Sequence, residues 1–267
     1  MTEAYLRRRP SFLVGALRDT IAVARRNLIG LYRVPQLLVF ILVQPVIFVV
    51  LFRYVFGGAI AIAQITPYPY VDYLMPGVFV QTVVFGSIGT AIGISTDIQS
   101  GMLERFRALP MKRSAFLAGL TLADLVRQII VIVLITGVGF AVGFRIHSNP
   151  LTFMCGMLLV LLFAYVLSWL FALEGLLLRD PESAQAAAFP VMAPLVFASS
   201  AFIPVSTMPS WLQGFAKYQP VSVTASAMRS LALGGPTANY VLQSLAWCFA
   251  ILALCAPLAV WYYRRSV

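Results

Sequence analysis

Charge is scarce in this 267-residue chain: only 10% of its residues are Asp, Glu, Lys or Arg, and nine of those are acidic. A soluble domain typically carries about 25% charged residues. Here 61% of the chain is apolar and the mean hydropathy is +0.90, so too few polar side chains remain to cover a soluble core. Ordinary soluble enzymes, disordered chains and coiled coils are thereby excluded, and a polytopic membrane protein is implied. Histidine is nearly absent. His147, the single one, sits in a short loop, which argues against a histidine-based metal centre or a Ser-His nucleophile pair. Cys155, Cys248 and Cys255 lie apart in apolar runs without metal or disulfide spacing and read as packing residues. Lysine is reduced to Lys112 and Lys217, which follow Met111 and Ala216, so no G-x-x-x-x-G-K-[ST] phosphate loop exists. The chain is expected to hold no catalytic group, no metal and no cofactor of its own, and any nucleotide hydrolysis that energises it belongs to another polypeptide.

What is present is long apolar sequence. A helix needs about 20 apolar residues to cross the hydrocarbon, and six stretches qualify: about 36–56, 73–96, 115–143, 151–177, 186–203 and 239–262. The fold expected is all-α, with a tail and interfacial helix over 1–35, a single six-span domain over 36–263 and a short tail over 264–267. Pro45 in the first span and Pro190 and Pro194 in the fifth predict kinks. With the N-terminus inside, fourteen of the nineteen cations fall on inner segments and four on outer ones (Arg53, Arg145, Lys217 and Arg229), with Arg127 inside a span. That bias places both termini in the cytoplasm of a plasma-membrane protein. The basic balance is read as attraction to anionic lipid, with no nucleic-acid partner.

The segment before the first span is amphipathic. Leu13, Leu17, Ile21, Ala24, Leu28 and Leu31 share one helical face, opposite Arg18, Asp19, Arg25, Arg26 and Arg33. Such a helix lies flat in the interface, each cation contributing on the order of 1 kcal/mol of attraction to anionic lipid. Gly86, Gly89 and Gly93 give the second span a smooth face suited to close packing, as do Gly139 and Gly143 in the third. Within the spans stand Asp124 and Arg127, three apart and so on one helix face, and Glu174. An unpaired charge there costs about 2.5–3.5 kcal/mol, so pairing is expected, with structural, gating and ion-coupling roles all open.

The loop after the second span reads Asp97-Ile-Gln-Ser-Gly101-Met-Leu-Glu104-Arg105-Phe106-Arg107-Ala-Leu-Pro110, a short charged helix ended by proline. With Arg113-Ser114-Ala115 it closely resembles the cytoplasmic signature of the type-2 ABC transporter permeases, specifically the daunorubicin-resistance-type exporter permeases of actinobacteria. The likeness continues through Ala123-Asp124-Leu-Val-Arg127, Leu167-Ser168-Trp169, Ser199-Ser200-Ala201-Phe202-Ile203-Pro204, Met208-Pro209-x-Trp211 and Gln219-Pro220. Two positions depart from the pattern: Gln219 stands where the family usually has Asn, and Gln99 where many members have an acid.

The resemblance implies a permease subunit paired with an identical or homologous second permease and with two copies of a separate ATPase that binds ATP and Mg. Asp97, Gly101, Glu104, Arg105, Phe106 and Arg107, in a coupling helix over about 97–110, would take up the ATPase's motion. An outer re-entrant loop over about 204–236, with Pro204, Pro209 and Trp211, would cap the exit. A route between subunits would be lined by Phe79, Phe85, Phe189, Met192 and Phe197, apolar enough for a lipid or an amphipathic small molecule. The competing readings are a proton-driven secondary transporter, favoured only by Asp124, Arg127 and Glu174, and an intramembrane lipid-modifying enzyme, for which no nucleophile–base pair is visible.

Overall fold

A computed structural model describes residues 12–33, 35–57, 68–102 and 113–265, and every regular element among them is helical. Nine α-helices follow one another among the described residues. They are α1 (Phe12–Arg33), α2 (Pro35–Val50), α3 (Tyr70–Gln99), α4 (Arg113–Val142), α5 (Pro150–Leu178), α6 (Pro181–Phe197), α7 (Ser210–Tyr218), α8 (Pro220–Leu233) and α9 (Ala238–Arg265). A π-helical stretch, Leu51–Phe56, extends α2, and a 3₁₀ turn, Val205–Thr207, precedes α7.

Among the described residues four helices, α3, α4, α5 and α9, are long and apolar enough to cross a membrane. α2 and α6 are shorter, at 16 and 17 residues. α6 stops at Phe197, so residues 198–203, expected inside a span, form turns instead. Pro190 and Pro194 each remove a backbone donor from α6, and at its end Gln219 offers its amide N–H to the carbonyls of Leu195 at 2.6 Å and Ala198 at 3.3 Å.

Burial divides the long helices into two classes. The most apolar 18-residue windows of α3 and α5 are 72% and 67% buried, against 28% for α4 and 22% for α9. α3 and α5 therefore pack together as the centre, α8 and α6 close around them, and α4 and α9 turn much of their surface outward. Val133, Leu158 and Phe249 are among the exposed apolar side chains, as a lipid-facing surface requires. Cys248 and Cys255 are buried, whereas Cys155 faces outward.

Helix ends are set locally. Asn149 caps α5 by accepting from the Leu151 N–H, and α5 closes on Arg179 in the left-handed conformation. Asp180 caps α6 by accepting from the Ser183 N–H at 2.7 Å, and Gln219 caps α8 by accepting from the Val221 N–H. Each of these three helices begins with proline, whose missing N–H is unneeded there.

α1 packs along α4 through Val23 and Ala24, both buried, while Ile21 is 52% exposed. Of the predicted apolar arc, Ala24 thus docks on protein while Ile21 stays exposed. Asp97, assigned to a separate coupling helix, instead lies in the last turn of α3, which ends at Gln99 ahead of Gly101 at φ +65°. Glu104, Arg105, Phe106 and Arg107 lie outside the described residues.

Candidate functional site: cavities around a buried ion pair

α4 carries the charges that the sequence places within the spans. Asp124 and Arg127 form an ion pair one turn apart, with Asp124 buried. Both carboxylate oxygens are occupied, since Ser168 of α5 donates its hydroxyl to the second. Arg127 also donates to the carbonyl of Gly86 on α3 at 2.6 Å. The pair thus ties α3, α4 and α5 together. Gln128 adds a second tie, donating to the Val83 carbonyl at 3.2 Å and reaching the Ser87 hydroxyl at 3.4 Å. Glu174, half-buried near the end of α5, has no ion pair among the described residues.

The glycines of α3 serve these polar groups. A Cβ at Gly86 would lie 2.6 Å from the Gln128 amide, and one at Gly89 would lie 2.7 Å from Nη1 of Arg127. The smooth face expected to bring two backbones together accommodates a guanidinium and an amide instead, while Gly93 faces open space.

Two cavities share Arg127 and Gly89 as wall. The larger, about 540 Å³, opens between α2, α3, α4 and α6 and is lined by Gln44, Gln81, Phe85, Gln185 and Phe189 in addition. Phe85 and Phe189 stack there with ring centroids 6.2 Å apart. Gln81 is 1% exposed, and its side-chain carbonyl oxygen has no hydrogen-bond partner. The smaller, about 220 Å³, lies beneath α1 against Asn27, Thr90, Leu120 and Asp124.

The five aromatic and methionine residues expected along one route therefore separate. Phe85 and Phe189 meet at the larger cavity. Phe79 is completely buried and packs edge-on against Phe144, and Met192 is buried in the same core, so neither presents a surface to a partner subunit. Phe197 joins Phe48 and Phe202 in an aromatic stack elsewhere. Six residues separate Phe79 from Phe85, a rotation of about 240° at 100° per residue, which puts them on different faces of α3.

At the end carrying Asp97, short polar contacts join the helices. Arg26 of α1 pairs with Asp97 at 2.7 Å, linking the amphipathic helix to the terminus of α3. Gln99 donates to Asp180 at 2.8 Å, so the amide that departs from the family pattern meets a carboxylate that an acid there would repel. Hydrogen bonds from Ser183 and Gln99 hold the Asp180 carboxyl below its ordinary range.

The opposite end holds two polar sites that sequence reading passed over. Buried Asp72 accepts from the Arg145 N–H at 2.8 Å and lies 2.7 Å from Nε2 of His147. Arg229, assigned to an outer loop, lies within α8. It donates to the carbonyls of Tyr73 at 3.1 Å, Ser200 at 2.7 Å and Ala201 at 3.4 Å, with its guanidinium 3.7 Å from the Tyr73 ring. The signals were Asp72 at the edge of an apolar run and the register of Arg229 in its helix. Pro204 and Pro209 introduce the 3₁₀ turn and α7, and Trp211 is 79% exposed.

Long apolar helices with polar groups sequestered between them define a multi-pass membrane protein. Residues 18–233 match the ABC-2 type transporter family, and the chain belongs to that family. It is 34% identical over 253 residues to the daunorubicin resistance ABC transporter permease protein DrrB1 of Streptomyces coeruleorubidus, covering 94% of this chain and 88% of that one. It is 27% identical over 233 residues to the probable doxorubicin resistance ABC transporter permease protein DrrC of Mycobacterium tuberculosis, covering 84% and 81%. It is 23% identical over 209 residues to the inner membrane transport permease YadH of Escherichia coli, covering 76% and 80%.

Proposed function

We propose that this chain is the permease subunit of an ATP-driven exporter that moves a hydrophobic or amphipathic small molecule or lipid out of the cytoplasm or inner leaflet. The observation that carries the reading is membership of the ABC-2 type transporter family across residues 18–233, supported by relatives named as drug-resistance permeases over most of their length. In this reading α2 and α6, apolar but short, complete six spans with α3, α4, α5 and α9, both termini lie in the cytoplasm, and the protein resides in the plasma membrane. Two permeases, identical or homologous, pair with two copies of a separate ATPase, and ATP and Mg are handled there.

The segment 97–110 is the handle. Asp97 is held to α1 through Arg26, so a pull on that segment, through Glu104, Arg105, Phe106 and Arg107, would be felt by α1 and α3 together. Gly101 supplies the left-handed turn at which the segment leaves α3. The cavity of about 540 Å³ lined by Phe85 and Phe189, with the unpartnered Gln81 carbonyl in its wall, suits an apolar cargo bearing a hydrogen-bond donor. Pro204, Pro209 and Trp211 belong to the cap at the exit.

The test is co-expression with the cognate ATPase and efflux of doxorubicin from preloaded cells. Phe106→Ala and Glu104→Gln should abolish ATP-dependent transport while leaving membrane insertion intact. ATP turnover by the purified chain alone, or full-rate efflux by both variants, would overturn the proposal. Loss of efflux on collapsing the proton gradient with ATP preserved would instead favour the secondary-transport reading of Asp124, Arg127 and Glu174.

A further inference from the structure

Gly89 and Arg127 are the only residues that line both cavities. The guanidinium lies over the glycine, since a Cβ there would stand 2.7 Å from Nη1 and 2.9 Å from Nη2. What separates the larger space from the smaller is therefore this guanidinium, resting on backbone that carries no side chain. The two spaces follow one another along α3. The smaller takes in Gly93, one turn before Asp97, and lies under Asn27 and Leu28 of α1. The larger reaches back to Gln81. From Gln81 to Gly93 is about 18 Å of helix, against roughly 30 Å for the hydrocarbon. Joined, the cavities would follow α3 through more than half the depth of a membrane.

Arg127 is held on unequal terms. Its ion pair with Asp124 is internal to α4, and Ser168 of α5 fixes the other carboxylate oxygen. To α3 it makes one hydrogen bond among the described residues, to the Gly86 carbonyl at 2.6 Å. A shift of α3 against α4 carries that carbonyl away and leaves the guanidinium with its carboxylate. The space over Gly89 then opens without unpairing a buried charge, which would be the costly step. Gln128, bonded to Val83 and Ser87, yields in the same shift. Room to move is present, because Arg127 keeps 20% of its side-chain surface open against 5% for Asp124. Leu28, Leu120 and Ala123 on one side and Ile41, Phe85 and Ile88 on the other make the walls mainly apolar. The one charge pair among them is neutral overall, so the path fits a hydrophobic molecule and not a free ion.

We propose that Arg127 is a gate between the two cavities, closed in this arrangement. A hydrophobic cargo from the leaflet at the end carrying Asp97 passes beneath α1 and over Gly89 into the larger cavity when α3 shifts. The gate needs only the two cavities, while what passes it rests on the transport reading above.

The experiment uses the full-length chain in liposomes, with Phe85→Cys in the larger cavity and Cys155→Ala, Cys248→Ala and Cys255→Ala as background. The membrane-impermeant thiol reagent trimethylammonium-ethyl methanethiosulfonate reads access to that cavity. Labelling should be slow with Asp124 and Arg127 intact and at least tenfold faster in Asp124→Ala/Arg127→Ala. Asp124→Ala/Arg127→Met removes the same charges but keeps a long side chain over Gly89, and should stay slow. Gly93→Leu fills the smaller cavity, since a side chain there meets nothing within 4 Å, and should return the fast variant to the slow rate. Equal rates in the two double variants would overturn the gate, because a loosened bundle speeds both alike. A fast rate that Gly93→Leu does not slow would overturn it too. Co-expressed with the ATPase, Gly93→Leu should cut doxorubicin efflux from preloaded cells at least tenfold; undiminished efflux would overturn the passage as the cargo's route. A wild-type chain that exports nothing with its ATPase, although its labelling behaves as described, refutes the transport reading alone.

Discussion

The two ends of the bundle are built on different terms. At the end carrying Asp72, polar groups are used to lock backbone: Arg229 donates to three carbonyls, Tyr70 and Tyr73 donate to Phe202 and Ser200, and Asp72 fastens Arg145 and His147. Toward the end carrying Asp97, two of the ties are single side-chain pairs, Arg26 with Asp97 and Gln99 with Asp180, with one buried hydroxyl, Ser95, donating to the Gly175 carbonyl at 3.1 Å, and the two cavities that share Arg127 lie deeper along the helices. The difference teaches where motion is cheap. Carbonyls held by a shared guanidinium resist displacement together, whereas a partly exposed ion pair contributes little and breaks singly. If the coupling proposed above holds, force enters at the Asp97 end while the rigid contacts sit at the other.

The sharpest way to break this contrast is to remove Asp124, the charge anchoring the ties around the cavities. Asp124→Ala leaves Arg127 without its carboxylate between α3 and α4 and should destabilise the protein by about 3 kcal/mol, with Asp124→Ala/Arg127→Met recovering most of it. Denaturant unfolding in detergent measures both, and an additive double mutant would show that the pair is not coupled. Next in size, Arg229→Met strips the donors from three carbonyls at the Asp72 end and should cost about 2 kcal/mol, with Arg229→Lys restoring only part because an ammonium lacks the planar fork. If Arg229→Met is silent, the rigidity assigned to that end is wrong.

Smaller effects are expected from the pairs at the Asp97 end. Arg26→Gln should lower stability by less than about 1 kcal/mol, and raising NaCl should shrink the difference from wild type, since the pair is partly exposed. A salt-independent loss would point to packing instead. The smallest concerns Asp180. Because its carboxyl titrates below the ordinary 3.8 in the folded protein, its contribution is complete above that ordinary value and disappears as pH falls through the depressed one. Asp180→Asn should therefore flatten the acid limb of the stability profile slightly, and an unchanged limb would rule out the cap as a titrating element.

Helix content was legible because apolar run length dictates it: the bounds expected for the fourth and sixth spans, 151–177 and 239–262, fall within α5 and α9 with only a few residues to spare at either end. The pairing of Asp124 with Arg127 was legible for the same kind of reason, since three residues of separation place both on one face. The fifth span was misjudged at its end because Ser199 and Ser200 sit in an apolar context yet turn the chain, Ser200 bonding to Ser222 and Ser226 on α8. The role of the α3 glycines was not legible either. A small residue signals close approach without naming what approaches, and here it is a guanidinium and an amide from α4. The route residues scattered because hydropathy reports that a side chain avoids water without saying whether lipid, core or cavity receives it.

By itself the amino-acid sequence determined that the chain is a helical membrane protein without a phosphate loop, that Asp124 and Arg127 share a face, and that an amphipathic helix precedes the spans. These follow from composition and from periods of a few residues, which act within one element. Only the tertiary structure decided that Ser168 and the Gly86 carbonyl complete the ion pair, that Arg26 reaches Asp97, that Phe79 is core while Phe85 faces a cavity, and that Thr90 is left without a partner. Each of those depends on which helices become neighbours and in what rotation, a matter of packing between segments distant in the chain.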